Sequence, residues 1–284
     1  MIHVENLQYT YTGTEQPAIQ GLNFEIQKGE IFGFLGPSGA GKSTTQKILI
    51  RLLQGFQGDV RILDKDLRQW GYDFYERIGV SFELPNHYSK LTGIENLKYF
   101  GSLYQSDIIQ PQILLEKVGL EDDGDMLVSQ YSKGMKNRLN VARSLLHDPE
   151  LLFLDEPTAG LDPFNSRRIK DVIKSQQDAG KTIFLTTHDM MVADELCDRI
   201  AFIVDGGISL IDSPKELKLQ YGKAQIRVEY QNNGKNSFED FSLKGLGDNE
   251  KFIQMLRNNH IRTIHSQEAT LENIFIEVTG RSLR

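Results

Sequence analysis

The first 35 residues alternate short apolar runs with turn-forming segments, a pattern typical of β-strands. The runs are IHVENL, LNFEI and IFGFL, and glycine and proline residues punctuate the chain around them. A glycine-rich loop comes next. Beyond Ser43, apolar side chains recur at helical spacing, at Ile48, Leu49, Leu52 and Leu53. The pattern therefore predicts a strand, a loop and a helix in succession.

Three later runs are short, apolar and rich in β-favouring residues: LLFLD at 151–155, TIFLTT at 182–187 and RIAFIVDGG at 199–207. Between the first two runs, Asp162 fits a helix N-cap, Pro163 fits the first helical position and Gly180 fits the helix end. Strands that alternate with helices predict an α/β fold with a mostly parallel, covered sheet.

From about Ile94 to Leu146 the pattern is mainly helical, which predicts a helical subdomain at about 84–146 within an α/β body spanning 1–222. Past Pro214, polar turns at QNNGKN and KGLGDNE flank helix-like and strand-like runs, so a small α+β appendage is expected at 223–284. The last run, TLENIFIEV, has an apolar helical face that we expect to pack inside the protein rather than on a membrane. That face comprises Leu271, Ile274, Phe275 and Val278.

The overall charge argues against a nucleic-acid partner. Among 284 residues, 32 Lys and Arg stand against 39 Asp and Glu, a net charge of −7 with no basic tail or arm. The single cysteine, Cys197, excludes an internal disulfide framework, fits a reducing compartment and is expected to be buried. The chain shows neither a signal peptide nor the roughly 18–20 apolar residues of a membrane span, so we expect it to be neither secreted nor membrane-spanning by itself.

The segment GPSGAGKS matches the pattern G-x-x-x-x-G-K-[ST] between a predicted strand and a predicted helix. Glycines let successive backbone N–H groups face a phosphate anion, and the N-terminus of the following helix favours negative charge. Lys42 is expected to reach the β- and γ-phosphates of a nucleotide, and the Ser43 hydroxyl to ligate Mg²⁺. The alternative, an ordinary glycine-rich turn with a solvated lysine, is disfavoured by a second matching motif.

That second motif is LLFLDEP, a buried strand that delivers Asp155 and Glu156 to its carboxyl end, where ligands of open α/β sheets gather. Asp155 is suited to hold Mg²⁺, directly or through water. Glu156 is suited to polarise the attacking water, because phosphoryl transfer depends largely on positioning and charge neutralisation. The alternative is a pair of solvated acids at a strand end.

Taken in order, the motifs resemble those of the nucleotide-binding subunits of ABC transporters over nearly the whole chain. The resemblance implies a P-loop NTPase fold, ATP and Mg²⁺ as ligands, and ATP hydrolysis. It implies an adenine-stacking aromatic at Tyr11 and catalytic roles for Lys42, Glu156 and His188, the last in TTHD. A capping or surface role for His188 is the alternative. Nucleotide contacts are expected along the phosphate loop, at Gly36, Pro37, Ser38, Gly39, Ala40, Gly41, Lys42, Ser43 and Thr44.

The segment YSKGM, from Tyr131 to Met135, resembles the family's signature motif. Ser132 fits the N-cap of a helix that begins near Met135, so its hydroxyl and the Gly134 N–H form a second anion-facing helix end. By resemblance this end serves the ATP of a partner, in a homodimer or in a dimer with a paralogue. The resemblance also places Asp162, in the D-loop AGLD, at the nucleotide site.

Two positions depart from the family pattern. The Q-loop glutamine is replaced by Glu83 in VSFELP, which can serve as an oxygen ligand near Mg²⁺ but adds negative charge. The common LSGGQ reads YSKGM, in which Lys133 either touches phosphate or is a solvated surface lysine. These departures, the ending ATLENIFIEVTG and the C-terminal appendage resemble separate-chain ATPases that power export of drugs or polysaccharides.

The resemblance implies an ATPase subunit that dimerises around MgATP and drives a separate integral membrane permease, which the seam at SFELPN would touch. The subunit would then be cytoplasmic and peripheral on the inner face of the cell membrane. Two alternatives stay open: an ABC-type ATPase acting on ribosomes or DNA, and a nucleotide sensor with weak hydrolysis. The appendage could regulate, stabilise a dimer or serve structure alone.

Overall fold

The computed structural model describes residues 1–222, 224–232, 235–267 and 269–281. The chain divides into two compact units, which we describe separately as Met1–Ser213 and Pro214–Arg281. This boundary precedes the expected one after residue 222, so the helix Pro214–Tyr221 belongs to the second unit. Within the appendage expected at 223–284, residues 223, 233–234, 268 and 282–284 lie outside the described part.

The first unit is built from strands and helices that alternate along much of its length. Its strands are β1 (Ile2–Tyr9), β2 (Ile19–Ile26), β3 (Ile31–Leu35), β4 (Gln57–Ile62), β5 (Lys65–Asp66), β6 (Ile78–Ser81), β7 (Leu151–Asp155), β8 (Thr182–Thr187), β9 (Arg199–Val204) and β10 (Gly207–Asp212). Its α-helices are α1 (Lys42–Leu49), α2 (Gly93–Gly101), α3 (Pro111–Val118), α4 (Lys133–Ser144), α5 (Pro163–Asp178) and α6 (Met190–Leu196).

A six-stranded central sheet has the order β10-β9-β3-β8-β7-β6. The strands from β9 to β6 run parallel, and β10 is antiparallel to β9. Every residue of β3, β7 and β8 is buried, as expected for interior strands of a covered parallel sheet. Phe184 anchors the core, with its ring 5.5 Å from that of Phe34 and 5.8 Å from that of Phe153. The predicted α/β fold is confirmed.

A second, antiparallel sheet has the order β2-β1-β4-β5. It joins the same core, because Phe24 on β2 stacks on Phe32 of β3 with a centroid separation of 5.7 Å. The sequence patterns did not predict β4, β5, β6 or β10. In QGDVRI, the segment of β4, only Val60 and Ile62 are buried, so its apolar pattern is too sparse to be recognised.

Two of the predicted elements end earlier than the patterns indicated. Helix α1 ends at Leu49, and Arg51 beyond it has a φ of +62°, so the prediction that Leu52 and Leu53 continue the helix is wrong. Leu52 is 55% exposed. The run RIAFIVDGG is not one strand, since β9 ends at Val204 and a turn at 205–206 reverses the chain into β10.

Residues 94–146, all of them described, contain α2, α3 and α4 and no strand, in agreement with their mainly helical sequence pattern. Helix α2 begins at a capping box, in which the Thr92 hydroxyl accepts from the Glu95 N–H at 3.1 Å and the Glu95 carboxylate accepts from the Thr92 N–H at 2.8 Å. Helix α5 has Asp162 as N-cap and Pro163 as its first residue, as the sequence predicts.

The second unit contains α7 (Pro214–Tyr221), β11 (Gln225–Asn232), β12 (Lys235–Ser242), α8 (Glu250–Asn258), β13 (His260–Ser266) and α9 (Leu271–Thr279). The antiparallel sheet β12-β11-β13 and α8 enclose a small core of Ile226, Val228, Phe241 and Met255. The predicted apolar face of α9 is buried at Leu271, Ile274 and Phe275 and half-buried at Val278. Part of the turn predicted at QNNGKN, residues 233–234, lies outside the described residues. No helix in the described ranges is long and apolar enough to cross a bilayer.

Gly79 on β6 lets that strand approach helix α4, and its replacement by alanine is expected to destabilise the protein. A Cβ at this position would lie 2.0 Å from the Ser144 carbonyl oxygen, which is backbone and yields only if the helix moves. We expect a loss of about 1–3 kcal/mol in the free energy of unfolding. Gly207→Ala is the matched control, because its Cβ would meet its nearest neighbour at 3.7 Å. Equal thermal unfolding midpoints for the two variants would contradict this prediction.

Candidate nucleotide site

The phosphate loop connects β3 to α1 in a conformation that depends on glycine. Gly39 and Gly41 have φ values of +82° and +109°, which residues with a Cβ rarely adopt. A Cβ on Gly36 would lie 2.1 Å from the carbonyl oxygen of Ile203 on β9. The loop ends where α1 begins, at Lys42, so free N–H groups of the first turn face the loop.

The Lys42 ammonium group lies inside this loop. Its Nζ donates to the carbonyl oxygens of Gly36 at 2.6 Å and of Pro37 at 3.1 Å. Burial lowers the pKa of Lys42, and the nearby carboxylates of Glu156 and Asp155 oppose that shift. The side chain is thus a buried cation whose present partners are neutral carbonyl groups, and a phosphate would be a stronger partner.

Asp155 ends β7 and faces the start of α1. Its Oδ2 accepts a hydrogen bond from the Ser43 hydroxyl at 3.2 Å, and its Oδ1 accepts one from the Thr186 hydroxyl on β8. Parallel pairing of β7 with β8 places Asp155 beside Thr186. Burial raises the pKa of Asp155, although both hydroxyl donors stabilise the charged form.

Glu156 is buried and held on both carboxylate oxygens. Its Oε1 accepts from the His188 backbone N–H at 2.8 Å and lies 2.6 Å from His188 Nδ1, while Oε2 accepts from the Thr187 hydroxyl at 3.0 Å. The Glu156 backbone has a φ of +48°, the left-handed region that non-glycine residues adopt mainly at special sites. The His188 ring is 61% exposed, so one side of this pair faces solvent.

Tyr11, which precedes the phosphate loop in the sequence, contacts the first turn of α1. Its hydroxyl lies 3.0 Å from the Thr44 hydroxyl, and its ring meets the Tyr9 ring edge-on at 5.0 Å. Tyr11 as a whole is 37% exposed, and an aromatic side chain at an accessible position can stack on a planar group.

Glu83 lies just beyond the carboxyl end of β6. Because Ser81 pairs with Leu154, the chain leaves β6 beside the end of β7, and the exposed Glu83 side chain faces the same region. The charge of Glu83 opposes the lowering of the Lys42 pKa by burial and adds to the raising of the Asp155 pKa by burial, which places Glu83 within electrostatic reach of the phosphate loop.

The remaining predicted residues form a second group at two helix starts. Ser132 caps α4, and its hydroxyl accepts from the Met135 N–H at 3.2 Å, so the helix begins at Lys133 rather than near Met135. Asp162 caps α5, and hydrogen bonds from the side chain and backbone of Asn165 lower the pKa of its carboxyl. The starts of α4 and α5 lie close together, since a Cβ on Gly134 would lie 3.3 Å from Cδ2 of Leu161, the residue before Asp162.

Sequence reasoning assigned no role to three residues that the structure places against the site. Thr186 and Thr187 hold Asp155 and Glu156 through the contacts above, and Asn137 contacts the chain beyond Glu156. The two threonines were recognisable as hydroxyl groups at the end of a buried strand adjacent to LLFLD. Asn137 gave no such signal, since an amide inside a helix is ordinary.

Comparison with known proteins identifies the family. A family model described as ABC transporter matches residues 19–159. A fluoroquinolones export ATP-binding protein of Mycobacterium tuberculosis is 56% identical over 284 residues, which are 100% of this chain and 94% of that protein. The chain belongs to the ATP-binding subunits of ABC transporters. This ABC subunit is an ATPase, and the family, fold and activity that its motifs predicted are confirmed.

Three other matches cover most of the ABC subunit or its C-terminal part. The daunorubicin/doxorubicin resistance ATP-binding protein of Streptomyces peucetius is 37% identical over 80% of the ABC subunit and 69% of that protein. A family model described as a fluoroquinolone efflux ABC transporter C-terminal domain matches residues 224–268. A dimeric ATP-binding cassette in a post-hydrolysis state, bound to ADP and Pi, is similar with a TM-score of 0.69 at 28% identity, over 75% of the ABC subunit and 98% of that chain. The alternatives of a ribosome- or DNA-directed ATPase and of a sensor are not favoured.

Proposed function

We propose that this subunit binds MgATP at the edge where β3, β7 and β8 end, and hydrolyses it to drive a drug-exporting permease. The observation that carries this proposal is the 3.2 Å contact between Ser43 and Asp155, which joins the phosphate loop to the acidic strand end. Four groups lie at this edge: the buried Lys42 ammonium, the Ser43 hydroxyl, and the carboxylates of Asp155 and Glu156, which interact electrostatically with Lys42.

Lys42 binds the phosphates in this proposal. Its Nζ leaves the carbonyl groups of Gly36 and Pro37 and takes up the β- and γ-phosphate oxygens, a charge-assisted contact that compensates for burial. Backbone N–H groups of the loop and of the first turn of α1 supply further donors. Tyr11 stacks on the base, with Thr44 holding its hydroxyl in place.

Glu156 orients the attacking water. Its carboxylate is fixed by Thr187 and His188, so its direction is set before nucleotide arrives. His188 Nδ1 faces Glu156, which leaves Nε2 of the exposed ring to contact the γ-phosphate. A carboxylate that is preorganised in this way contributes by positioning the nucleophile and accepting its proton as the bond to the leaving oxygen breaks.

The donor set suits Mg²⁺. Carboxylate and hydroxyl oxygens are the ligands this ion prefers, and Asp155 and Ser43 offer one of each within hydrogen-bond distance. Glu83 is a third oxygen donor at the same edge. Within the described ranges, no group of three or more His, Cys, Asp or Glu side chains is placed to hold a metal ion. The ion, when bound, neutralises charge on the phosphates.

We propose that two copies, or one copy and a paralogue, close around two nucleotides. Helix α4 begins at a solvent-exposed position, at Ser132, Lys133 and Gly134. The N-terminus of a helix favours an anion, so this end suits a phosphate bound to the opposite copy. The dimeric cassette with ADP and Pi supports this arrangement, and Asp162 lies beside the same surface through the contact of Gly134 with Leu161.

A surface rich in exposed aromatic and aliphatic side chains is the proposed permease contact. It lies along the chain after Glu83 and comprises Leu84, Tyr88 and Tyr99, which are 78%, 48% and 44% exposed, with the rings of Tyr88 and Tyr99 in contact at 4.7 Å. A neighbouring cavity of about 440 Å³ is lined by aromatic rings and by Arg143. Apolar surface of this kind is characteristic of protein contacts. Through such a permease the subunit would lie on the cytoplasmic face of the membrane.

The cargo that we propose is a fluoroquinolone-like drug. The 56% identical relative is named for fluoroquinolone export, and the model matching 224–268 describes the C-terminal domain of such systems. The experiment is drug accumulation in cells expressing the subunit with the membrane protein that copurifies with it. Reduced fluoroquinolone accumulation is expected, and accumulation unaffected by the pair contradicts the cargo.

Ser132→Arg is expected to suppress composite-site hydrolysis without weakening ATP binding to the isolated chain. The bulky cation occupies the helix start that would receive the partner's phosphate, so hydrolysis falls at least about tenfold while the Kd of MgATP changes less than about twofold. Ser129→Arg, at an exposed position nearby, is the control.

Mixing two inactive variants distinguishes a site shared between two copies from a site contained in one copy. Ser132→Arg keeps an intact Glu156, and Glu156→Gln keeps an intact Ser132, so a mixed dimer contains one complete site. Phosphate release should reappear on mixing the two inactive variants. Activity that stays absent in a demonstrably mixed dimer contradicts shared sites.

A further inference from the structure

Helix α4 carries a buried amide that bonds to the loop following Glu156. Asn137 is 4% exposed, and its Nδ2 donates to the carbonyl oxygens of Ala159 at 3.0 Å and of Pro157 at 3.3 Å. We call residues 157–162 the Glu156 loop. The amide therefore bridges two carbonyl groups of the segment whose first residue is peptide-bonded to Glu156.

Hydrogen bonds within the Glu156 loop connect it to Glu156, so a displacement of its carbonyl groups would also displace Glu156. The Ala159 N–H donates to the Glu156 carbonyl at 3.0 Å, and the Leu161 N–H donates to the Thr158 carbonyl at 3.3 Å. Glu156 itself has a φ of +48°, a sparsely populated conformation that persists only where the surrounding structure holds it.

The start of α4 packs on the same loop. A Cβ on Gly134 would lie 3.5 Å from the Gly160 carbonyl oxygen, and a Cβ on Gly160 would lie 3.6 Å from Lys133 Cε. The part of the helix that would face a partner's nucleotide is therefore in contact with the loop that carries Glu156.

Further along, α4 holds the segment after β6. Asn140 Nδ2 donates to the Phe82 carbonyl at 2.7 Å and to the Ser81 hydroxyl at 2.9 Å. Arg143 donates to the Asn86 carbonyl at 2.7 Å. One helix of 12 residues thus bonds to the segment that contains Glu83 and, through Asn137, to the Glu156 loop.

The chemistry of Asn137 indicates a role beyond packing. Its Oδ1 is buried and has no hydrogen-bond partner among the residues that the structure describes. A buried polar atom left without a partner costs stability, and an apolar side chain would avoid that cost. The two donor contacts are what an apolar replacement would lose.

We propose that Asn137 is a positioning residue for hydrolysis, which ties the Glu156 carboxylate to the position of helix α4. Displacement of α4, by a nucleotide at its start or by a permease at the segment after β6, then moves the Glu156 loop as well. This inference rests on the proposed role of Glu156 as the group that orients water.

The test is Asn137→Ala, with phosphate release and equilibrium MgATP binding measured on the full chain. Loss of alignment at a catalytic group lowers kcat by about 10- to 100-fold, while the Kd of MgATP stays within about twofold because the phosphate loop is untouched. Asn137→Gln retains an amide donor and should recover part of kcat.

Asn96→Ala is the matched control. Asn96 is also a buried amide of the helical subdomain, and its Nδ2 donates to the carbonyl groups of Tyr88 at 3.0 Å and Thr92 at 2.9 Å, away from the Glu156 loop. Both alanine variants should lower the unfolding temperature, but only Asn137→Ala should lower kcat. Equal kcat in the two variants, or a kcat loss that follows unfolding temperature, overturns the proposal.

Glu156→Gln distinguishes this inference from the proposed function. If Glu156→Gln hydrolyses ATP at the wild-type rate, the role of Glu156 is wrong and the proposal for Asn137 fails with it. If Glu156→Gln is inactive while Asn137→Ala retains full kcat, only the proposal for Asn137 fails.

Discussion

Glu156→Gln is expected to bind MgATP normally and to hydrolyse it at least about 100-fold more slowly than the wild-type chain. Glutamine has the same shape, and its carbonyl oxygen can accept the hydrogen bond that the His188 N–H donates at 2.8 Å. It cannot accept a proton from water at neutral pH. The variant therefore forms the MgATP complex but does not hydrolyse the bound ATP.

The measurements are steady-state phosphate release, equilibrium nucleotide binding and light scattering with ATP. A long-lived ATP-bound dimer is expected, because hydrolysis would be what separates the copies. Glu195→Gln is the control, since the Glu195 carboxylate pairs at the surface with Arg167 at 2.7 Å and contacts none of the site residues described above. Turnover by Glu156→Gln equal to that of Glu195→Gln would refute the assigned role.

Lys42→Met is expected to weaken MgATP binding by about 2 kcal/mol or more, roughly 30-fold in Kd. The substitution keeps a long side chain in the loop but removes the buried cation, whose pKa burial lowers while nearby carboxylates oppose the shift. Without that cation, Asp155 and Glu156 face the phosphates with no positive side chain between them. Binding is then lost through repulsion as well as through the missing contact.

Lys47→Met is the matched control for that prediction, because Lys47 is an exposed lysine on the same helix. Titration of the two variants with MgATP separates loss of a phosphate partner from a general change in charge. A Kd for Lys42→Met within twofold of that for Lys47→Met would contradict the phosphate-binding role. The variant folds if its circular dichroism matches that of the wild-type chain.

Fully buried strands and helix caps were the elements most readable from the sequence. LLFLD and TIFLTT contain the uninterrupted apolar stretches LLFL and IFL, and they form β7 and β8, because interior strands of a covered parallel sheet bury both faces. Strands with few or short apolar stretches were missed for the opposite reason. QGDVRI and IGVS bury too few side chains, or are too short, for periodicity to register.

Within the site, motif residues were predictable and their supports were not. The loop GPSGAGKS and the acids of LLFLDEP follow from chemistry that acts at fixed spacing along the chain. Thr187 and Asn137 act through contacts with residues 31 and 20 positions away in sequence, the carboxylate of Glu156 and the carbonyl of Pro157. No local pattern encodes such pairings, because they depend on how strands and helices pack.

The solitary thiol of this chain has a practical consequence for the experiments above. Cys197 is 8% exposed, lies against Gly33, and burial raises the pKa of its thiol. Thiol reagents react with the thiolate, so the native protein is expected to react only slowly with maleimides. New cysteines introduced at solvent-exposed positions would then carry fluorophores or cross-linkers without background labelling, and distances across a closing pair of copies become measurable in an otherwise unaltered chain.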